Sequence, residues 1–467
     1  MRTFISENRK YARIKIFLEI IAWLTLVVLG CLAVTLGLLS IRGASLLCVY
    51  LVLGLLVSAW WNFEGGRHPC FLFLGMLFIF QCGRLLGYMT GSPDEPFAVV
   101  GQFPFLVSRS SEEITLLLIV LSAICVYAPC RILYRRVVFR AGPEQDWLSG
   151  LYWLLLLTLP FAVYKNYLYL SYIRSHGGYI AVYTDTAVIQ QSAGVLMRTG
   201  ALVGTSVLLL LYLFERRAGF MTLLLSLFFI VSSMELLIGF RGKIFVQILV
   251  FWFIRNLKAG KKFNLIPLFS AAVLFSVVAV IVAGFREEHA INWLGPLGFV
   301  SGEGVSMGVT EMAVEERDMF AKNTGRYLLG GVKSIFGATD DIFAVDLSLY
   351  LDPDSFKAGY SLGSSYLADA YLLGGVVAVA GASLLLGTML SWIYNHCGSW
   401  KGAVLMMASL GSIIYMPRGE LFGPISGTAK SLLAFAAAAV MLVLMSGLYW
   451  LCLAICQDRP TLRNSPL

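Results

Sequence analysis

Leu237-Ile238-Gly239-Phe240-Arg241-Gly242-Lys243-Ile244 sets two cations among glycines in the middle of apolar sequence. Before it, Phe220 to Ile238 is apolar apart from Glu235 and a few hydroxyl side chains; after it, Ile244 to Ile254 is apolar apart from Gln247. The stretch between Arg217 and Arg255 has room for two membrane crossings of ~20 residues and little else. That reading decides the fold: a helical hairpin in a bilayer, with Arg241 and Lys243 at its tip, at or just below the surface. A guanidinium beside lipid is costly unless it is paired, snorkels to water or meets an anion. On the residues alone two readings stand. The cations either snorkel and cap a short hairpin, or they seat a lipid-linked phosphate or diphosphate through paired guanidinium donors.

Outward from the hairpin, the rest of the chain has the same character. Its 467 residues are 58% hydrophobic and 13% charged, with a mean hydropathy of +0.80, which excludes a soluble globular domain. The expected fold is all-α, a single polytopic membrane domain spanning 1–467. Apolar runs mark about 12 crossings at 17–40, 43–61, 69–89, 113–134, 147–164, 196–214, 218–238, 240–254, 264–284, 370–393, 401–416 and 429–455. The first run follows Arg2, Arg9, Lys10, Arg13 and Lys15; it is too long for a secretory h-region and reads as a retained signal anchor. Lysines and arginines crowd into the short segments 2–15, 131–140, 216–217 and 255–262, which places both termini in the cytoplasm. The net charge of +8 therefore reports cytoplasmic loops and membrane lipid, not nucleic acid. The nine cysteines show no metal-ligand spacing, so neither a disulfide framework nor a zinc site is expected.

Three external segments follow from this topology: 90–112, a Tyr-rich loop at 165–195 containing Tyr172, and an acidic loop at 285–369. A loop of the last length usually carries structure or function; Glu311–Lys322 reads as a short amphipathic helix in it and Asn323–Arg326 as a turn. The tyrosines form an interfacial belt or stack on sugar faces. Arg286, Arg326 and Arg418 mark the same external face as Arg241, from separate parts of the chain. Such a cluster can stabilise charge on a leaving diphosphate without a metal or other cofactor. Glu420, Asp369 and His289 are the candidate bases on that side. No His-and-carboxylate metal motif, P-loop or Ser/His/Asp signature accompanies them.

Three stretches carry a family resemblance: Leu237 to Lys243; Ser361-Leu362-Gly363-Ser364-Ser365-Tyr366-Leu367-Ala368-Asp369, running on to Gly375; and Met416-Pro417-Arg418-Gly419-Glu420. In these the sequence resembles the Wzy-type O-antigen polymerases, particularly the enterobacterial common antigen branch. The resemblance implies a GT-C-like glycosyltransferase of the inner membrane, working at the periplasmic face. It would transfer a growing glycan from undecaprenyl diphosphate to the terminal sugar of a new lipid-linked unit, with a chain-length regulator as a further partner. In that scheme Arg241 and Arg418, with Lys243, hold the donor diphosphate. Arg286 and Arg326 hold the second lipid-linked unit; Tyr366, Asp369, Tyr172 and His289 line the glycan cleft, and Glu420 is the leading base. The alternatives are an O-antigen ligase delivering the same donor to lipid A core, and a flippase of lipid-linked oligosaccharide.

Overall fold

The computed structural model describes residues 2–89, 99–100, 103–104, 107–139, 145–175, 186–238, 241–260, 277, 300–336, 341–357 and 362–457. Apart from a two-residue antiparallel ladder pairing Val99–Val100 with Phe103–Pro104, the described residues fold as helices and their connections. They form α1 (Arg2–Thr35), α2 (Ile41–Asn62), α3 (Pro69–Leu77), α4 (Gly83–Met89), α5 (Arg109–Leu133), α6 (Gln145–Ser175), α7 (Thr186–Phe214), α8 (Ala218–Ile238) and α9 (Arg241–Ala259). Beyond these lie α10 (Val305–Glu315), α11 (Arg317–Phe320), α12 (Thr324–Lys333), α13 (Phe343–Leu351), α14 (Pro353–Lys357), α15 (Tyr366–His396), α16 (Trp400–Ile414) and α17 (Gly423–Gln457). In hydrocarbon each backbone amide must be satisfied within its own segment, which is why apolar runs become helices. Short polar side chains start several of them: Ser40 and Ser399 accept from the amides of Gly43 and Gly402, each at 3.2 Å.

Among the described residues, eight helices are long and apolar enough to cross a membrane: Ile14–Thr35, Ile41–Asn62, Pro69–Leu86, Arg109–Leu133, Trp147–Ser175, Leu196–Phe214, Tyr366–His396 and Gly423–Gly447. Each coincides with an expected crossing. The described parts of the runs 218–238, 240–254 and 401–416 are helical as well, and 264–284 lies outside the described residues, save Val277. Leucines and valines along α1, α15 and α17, such as Leu29, Val377 and Val443, stand exposed, as a lipid-facing surface requires.

Two ends of the bundle are distinct. At one, Glu19 of α1 takes hydrogen bonds from Asn62 (2.7 Å) and Tyr127 and pairs with Arg131 (3.4 Å), while Glu64 pairs with Arg67 (3.2 Å) and Arg136 (3.3 Å). The turn between α7 and α8 is built the same way. Buried Glu215 accepts from Tyr152 (2.7 Å), from the amides of Arg216 and Arg217 (both 2.9 Å) and from the Arg217 guanidinium (2.8 and 3.0 Å). The Arg217 guanidinium, helped by Tyr152, pulls its carboxyl down to about 2, so this clasp is intact at neutral pH and loosens only as pH falls towards that value.

The opposite end gathers 81–89, 107–113, 300–316, 362–372 and 416–423. Here the large loop is a helical subdomain with its own core of Val309, Met312, Phe320, Tyr327, Phe343, Leu347 and Leu362, seated on Ala368 and Leu372 of α15. Two expectations are corrected in it. Asn323–Arg326 is not a turn, because Thr324 opens α12 and Asn323 stands at its N-cap. The helix expected over Glu311–Lys322 begins earlier, at Val305, and ends at Glu315, with Arg317–Phe320 a separate short helix; residues 306–314 are all buried, so α10 is not amphipathic. The small residues Ser306, Gly308, Thr310 and Ala313 let it sink between neighbours, and a side chain at Gly304 would collide with the backbone of Arg84. The described parts of the Tyr-rich stretch are helix rather than loop: α6 continues to Ser175 and α7 starts at Thr186, since nothing between Phe161 and Ser175 breaks a helix. The break in this region falls instead at Gly194, where φ is 66°.

Candidate functional site

The Met416–Arg418 turn lies between α16 and α17, and three separate parts of the chain meet around it. α3 passes through a π-helical turn, Phe78–Cys82, a distortion common at functional sites. That turn presents Phe80 and Gln81. The Gln81 amide donates to the Pro417 carbonyl at 2.7 Å and to Ser365 Oγ at 3.1 Å. Thr310 of α10 donates to the same Ser365 hydroxyl at 3.0 Å. Arg418 then has its guanidinium paired with Glu303, its face 5.5 Å from the Phe80 ring centroid, and its stem beside Gly363. Its side chain keeps 26% of its exposure and that of Glu303 only 13%, so the pair looks out of the protein through the arginine.

Two residues on, Glu420 lies against Gly331 of α12. Burial pushes its carboxyl above the usual carboxylate range, with Lys430 opposing. Asp369, one turn into α15, is 4% exposed and accepts the Leu421 amide at 2.9 Å through Oδ2; its Oδ1 has no hydrogen-bond partner. Below them Glu311 is wholly buried with neither carboxylate oxygen hydrogen-bonded. Burial holds its carboxyl well above the ordinary range, and the guanidinium of Arg84 opposes that.

The structure thus brings together Arg418, Glu420 and Asp369. Arg241 is the first residue of α9, and α9 lies against α16 with Gly411 facing Val246 and Val250. Val246 is five residues into α9 and Gly411 three from the end of α16, about 7 and 5 Å along their axes. The start of α9 and the chain leading to Arg418 therefore share one end of the bundle. The side chains of Arg241 and Lys243, and all of Arg286 and His289, lie outside the described residues. The rest of the expected set is elsewhere. Arg326 is engaged by Asp346 and, at 3.8 Å, by Asp341, within the loop subdomain. Tyr366 is fully buried with its hydroxyl on Ser122, so it packs α15 against α5 and offers no face to a sugar. Tyr172 lies beside Tyr169, Leu170 and Ile173 near the end of α6, in a cluster of their own.

Sequence reading missed Glu303, Gln81, Phe80, Thr310 and Glu311. Gln81 and Arg84 were the available signal, as polar residues within an apolar crossing; Glu303 and Glu311 had nothing to distinguish them from other acids of the loop. Gln81→Leu is expected to leave the Pro417 carbonyl and Ser365 hydroxyl poorly satisfied and to cost about 1–3 kcal/mol. A lowered midpoint of thermal unfolding in detergent would show it, while an unchanged midpoint would mean that the turn is held by packing alone.

A family model described as O-antigen polysaccharide polymerase Wzy matches residues 14–448. The chain belongs to the Wzy family of O-antigen polymerases. It is a multi-pass membrane protein and an O-antigen repeat-unit polymerase, a glycosyltransferase whose substrates are lipid-linked oligosaccharides; this sets aside the ligase and flippase alternatives. The match is to the family and leaves the common antigen branch open. Comparison with curated proteins and with solved structures finds no match.

Proposed function

We propose that this Wzy polymerase grips the undecaprenyl diphosphate of its donor at the periplasmic end of the inner-membrane bundle, with Arg418 and Arg241 as a two-arginine clamp assisted by Lys243. The observation that carries the reading is the state of Arg418. It is half-buried, stacked on Phe80 and paired with one carboxylate, on a turn held by Gln81. An anion with more charge than Glu303 can take over such a guanidinium without any rebuilding of the site. The α9 end brings Arg241 towards the same level, and its amide end adds a favourable dipole for an anion.

The step is a displacement at the donor's anomeric carbon. The acceptor sugar hydroxyl forms the new glycosidic bond, the carbon–oxygen bond to diphosphate breaks, and its electron pair leaves with undecaprenyl diphosphate. The arginines stabilise that departing charge. The hydroxyl proton passes to Glu420 or Asp369, which act on each other electrostatically; burial has raised Glu420 above the usual carboxylate range, which suits it to accept a proton. Arg286, Arg326, His289 and Tyr172 belong, in this reading, to the approach of the second lipid-linked unit and its glycan, and a chain-length regulator would act on the loop subdomain.

No step here requires a metal ion. In a purified system supplied with lipid-linked units, brief exposure to chelator is expected to leave the polymerisation rate within about twofold of its starting value. A rate that collapses and returns on adding a divalent cation would replace the arginine clamp with a metal one.

A further inference from the structure

At the end of the bundle opposite Arg418, α3 begins with His68-Pro69-Cys70 and α5 runs out past Cys130. His68, Cys70 and Cys130 are all completely buried, and one donor atom from each lies within 4.8 Å of the others. The imidazole is fixed on every side: stacked on Phe63 with centroids 4.7 Å apart, and edge-on to Tyr394 at 4.6 Å and Tyr134 at 5.9 Å. Its Nδ1 accepts the Cys70 amide at 3.2 Å, as the cap of α3. Its Nε2 is buried and has no hydrogen-bond partner. A nitrogen left unsatisfied inside a protein is costly, and this imidazole sits beside two thiols.

We propose that His68, Cys70 and Cys130 bind a thiophilic divalent cation of the zinc class, which staples the start of α3 to the end of α5. Two sulfurs and an imidazole are a donor set that such ions prefer. Charge selects the divalent ion: two thiolates and a neutral imidazole give a neutral complex, whereas a monovalent copper ion would leave a net negative charge in an apolar place. Metal–sulfur bonds of about 2.3 Å and metal–nitrogen bonds of about 2.0 Å put the donors roughly 3.5–4 Å apart, a small contraction from the present geometry.

Binding replaces the two thiol protons, which leave to solvent, and moves the imidazole proton from Nε2 to Nδ1. The cap bond from the Cys70 amide and the contact of the Cys130 thiol with the Gly387 carbonyl, at 3.2 Å, are exchanged for coordinate bonds. Ser391, one turn after Gly387 on α15, adds a buried hydroxyl that lacks a hydrogen-bond partner and is a candidate for the fourth position.

The test uses full-length, tag-free protein purified under reducing conditions, incubated with Zn2+ and separated from excess by gel filtration. Metal analysis is expected to find about one zinc per chain, falling to less than about a tenth in Cys70→Ser and Cys130→Ser. Zn2+ should also raise the thermal midpoint of the wild type and not of Cys130→Ser. Should the variants fail to fold, X-ray absorption on the wild type still decides, with two sulfur neighbours at about 2.3 Å expected. No zinc retained by the wild type, zinc with only nitrogen and oxygen neighbours, or retention of Cu+ in preference to Zn2+ would each overturn the proposal. The site lies away from the diphosphate clamp, so its failure would leave the polymerase mechanism untouched.

Discussion

Arg418→Ala is expected to leave cells with core carrying single repeat units and no polymer ladder. Losing one preorganised donor to a developing charge typically costs about 10²–10³ in rate, enough to remove the longer chains. The variant alone is ambiguous, because Arg418 also neutralises Glu303, whose side chain is only 13% exposed. Removing the guanidinium strands that carboxylate and should lower abundance somewhat. The exchange Glu303→Arg with Arg418→Glu separates the two roles. It restores an ion pair between the same two positions, so abundance should return towards wild type, yet the cation no longer stands on the turn beside Phe80, and the ladder should stay absent. Glu303→Gln should keep polymerase activity, since it frees the arginine rather than removing it. A ladder restored by the exchange would reduce Arg418 to a structural residue.

The second large effect is at the helix that opens with Arg241. A cation in the first turn of a helix works against the helix dipole, so the fold gains little from arginine there. Arg241→Ala should therefore leave protein abundance unchanged while abolishing polymer. Arg241→Lys should recover little, because a compact ammonium replaces a planar two-pronged donor. Immunoblotting beside a lipopolysaccharide gel reads both quantities. A normal ladder in the alanine variant would remove Arg241 from the clamp, and full activity in the lysine variant would mean that only charge matters.

How much of this was legible beforehand depended on whether a residue's role is local. Apolar runs specify helices by themselves, since lipid leaves the backbone no other partner, and the eight long apolar helices fall where the sequence puts crossings. The arginine–glutamate turn was legible too, because charge beside glycine at a helix boundary is a local anomaly. What could not be read was which distant groups complete it. Glu303 is one acid among many in a long loop, and Gln81 reaches Pro417 from a π-helical turn more than three hundred residues earlier in the chain. Tyr366 shows the converse error: its place in a family-like stretch suggested a sugar contact, but helix packing consumed it. Asn323–Arg326 has the composition of a turn, yet Phe343 and the base of α15 give α12 an apolar surface to fold on, and tertiary burial outweighed local preference. His68, Cys70 and Cys130 were invisible for a simpler reason, since sixty residues separate the two cysteines and only the packing of α5 on α3 closes the distance.

The most direct test of the central claim is an experimental structure of the full chain with undecaprenyl diphosphate bound. The expected result is phosphate density within hydrogen-bonding distance of both the Arg418 and Arg241 guanidinium groups, with Arg418 drawn away from Glu303. Diphosphate bound elsewhere, with Arg418 still closed on Glu303, would contradict it.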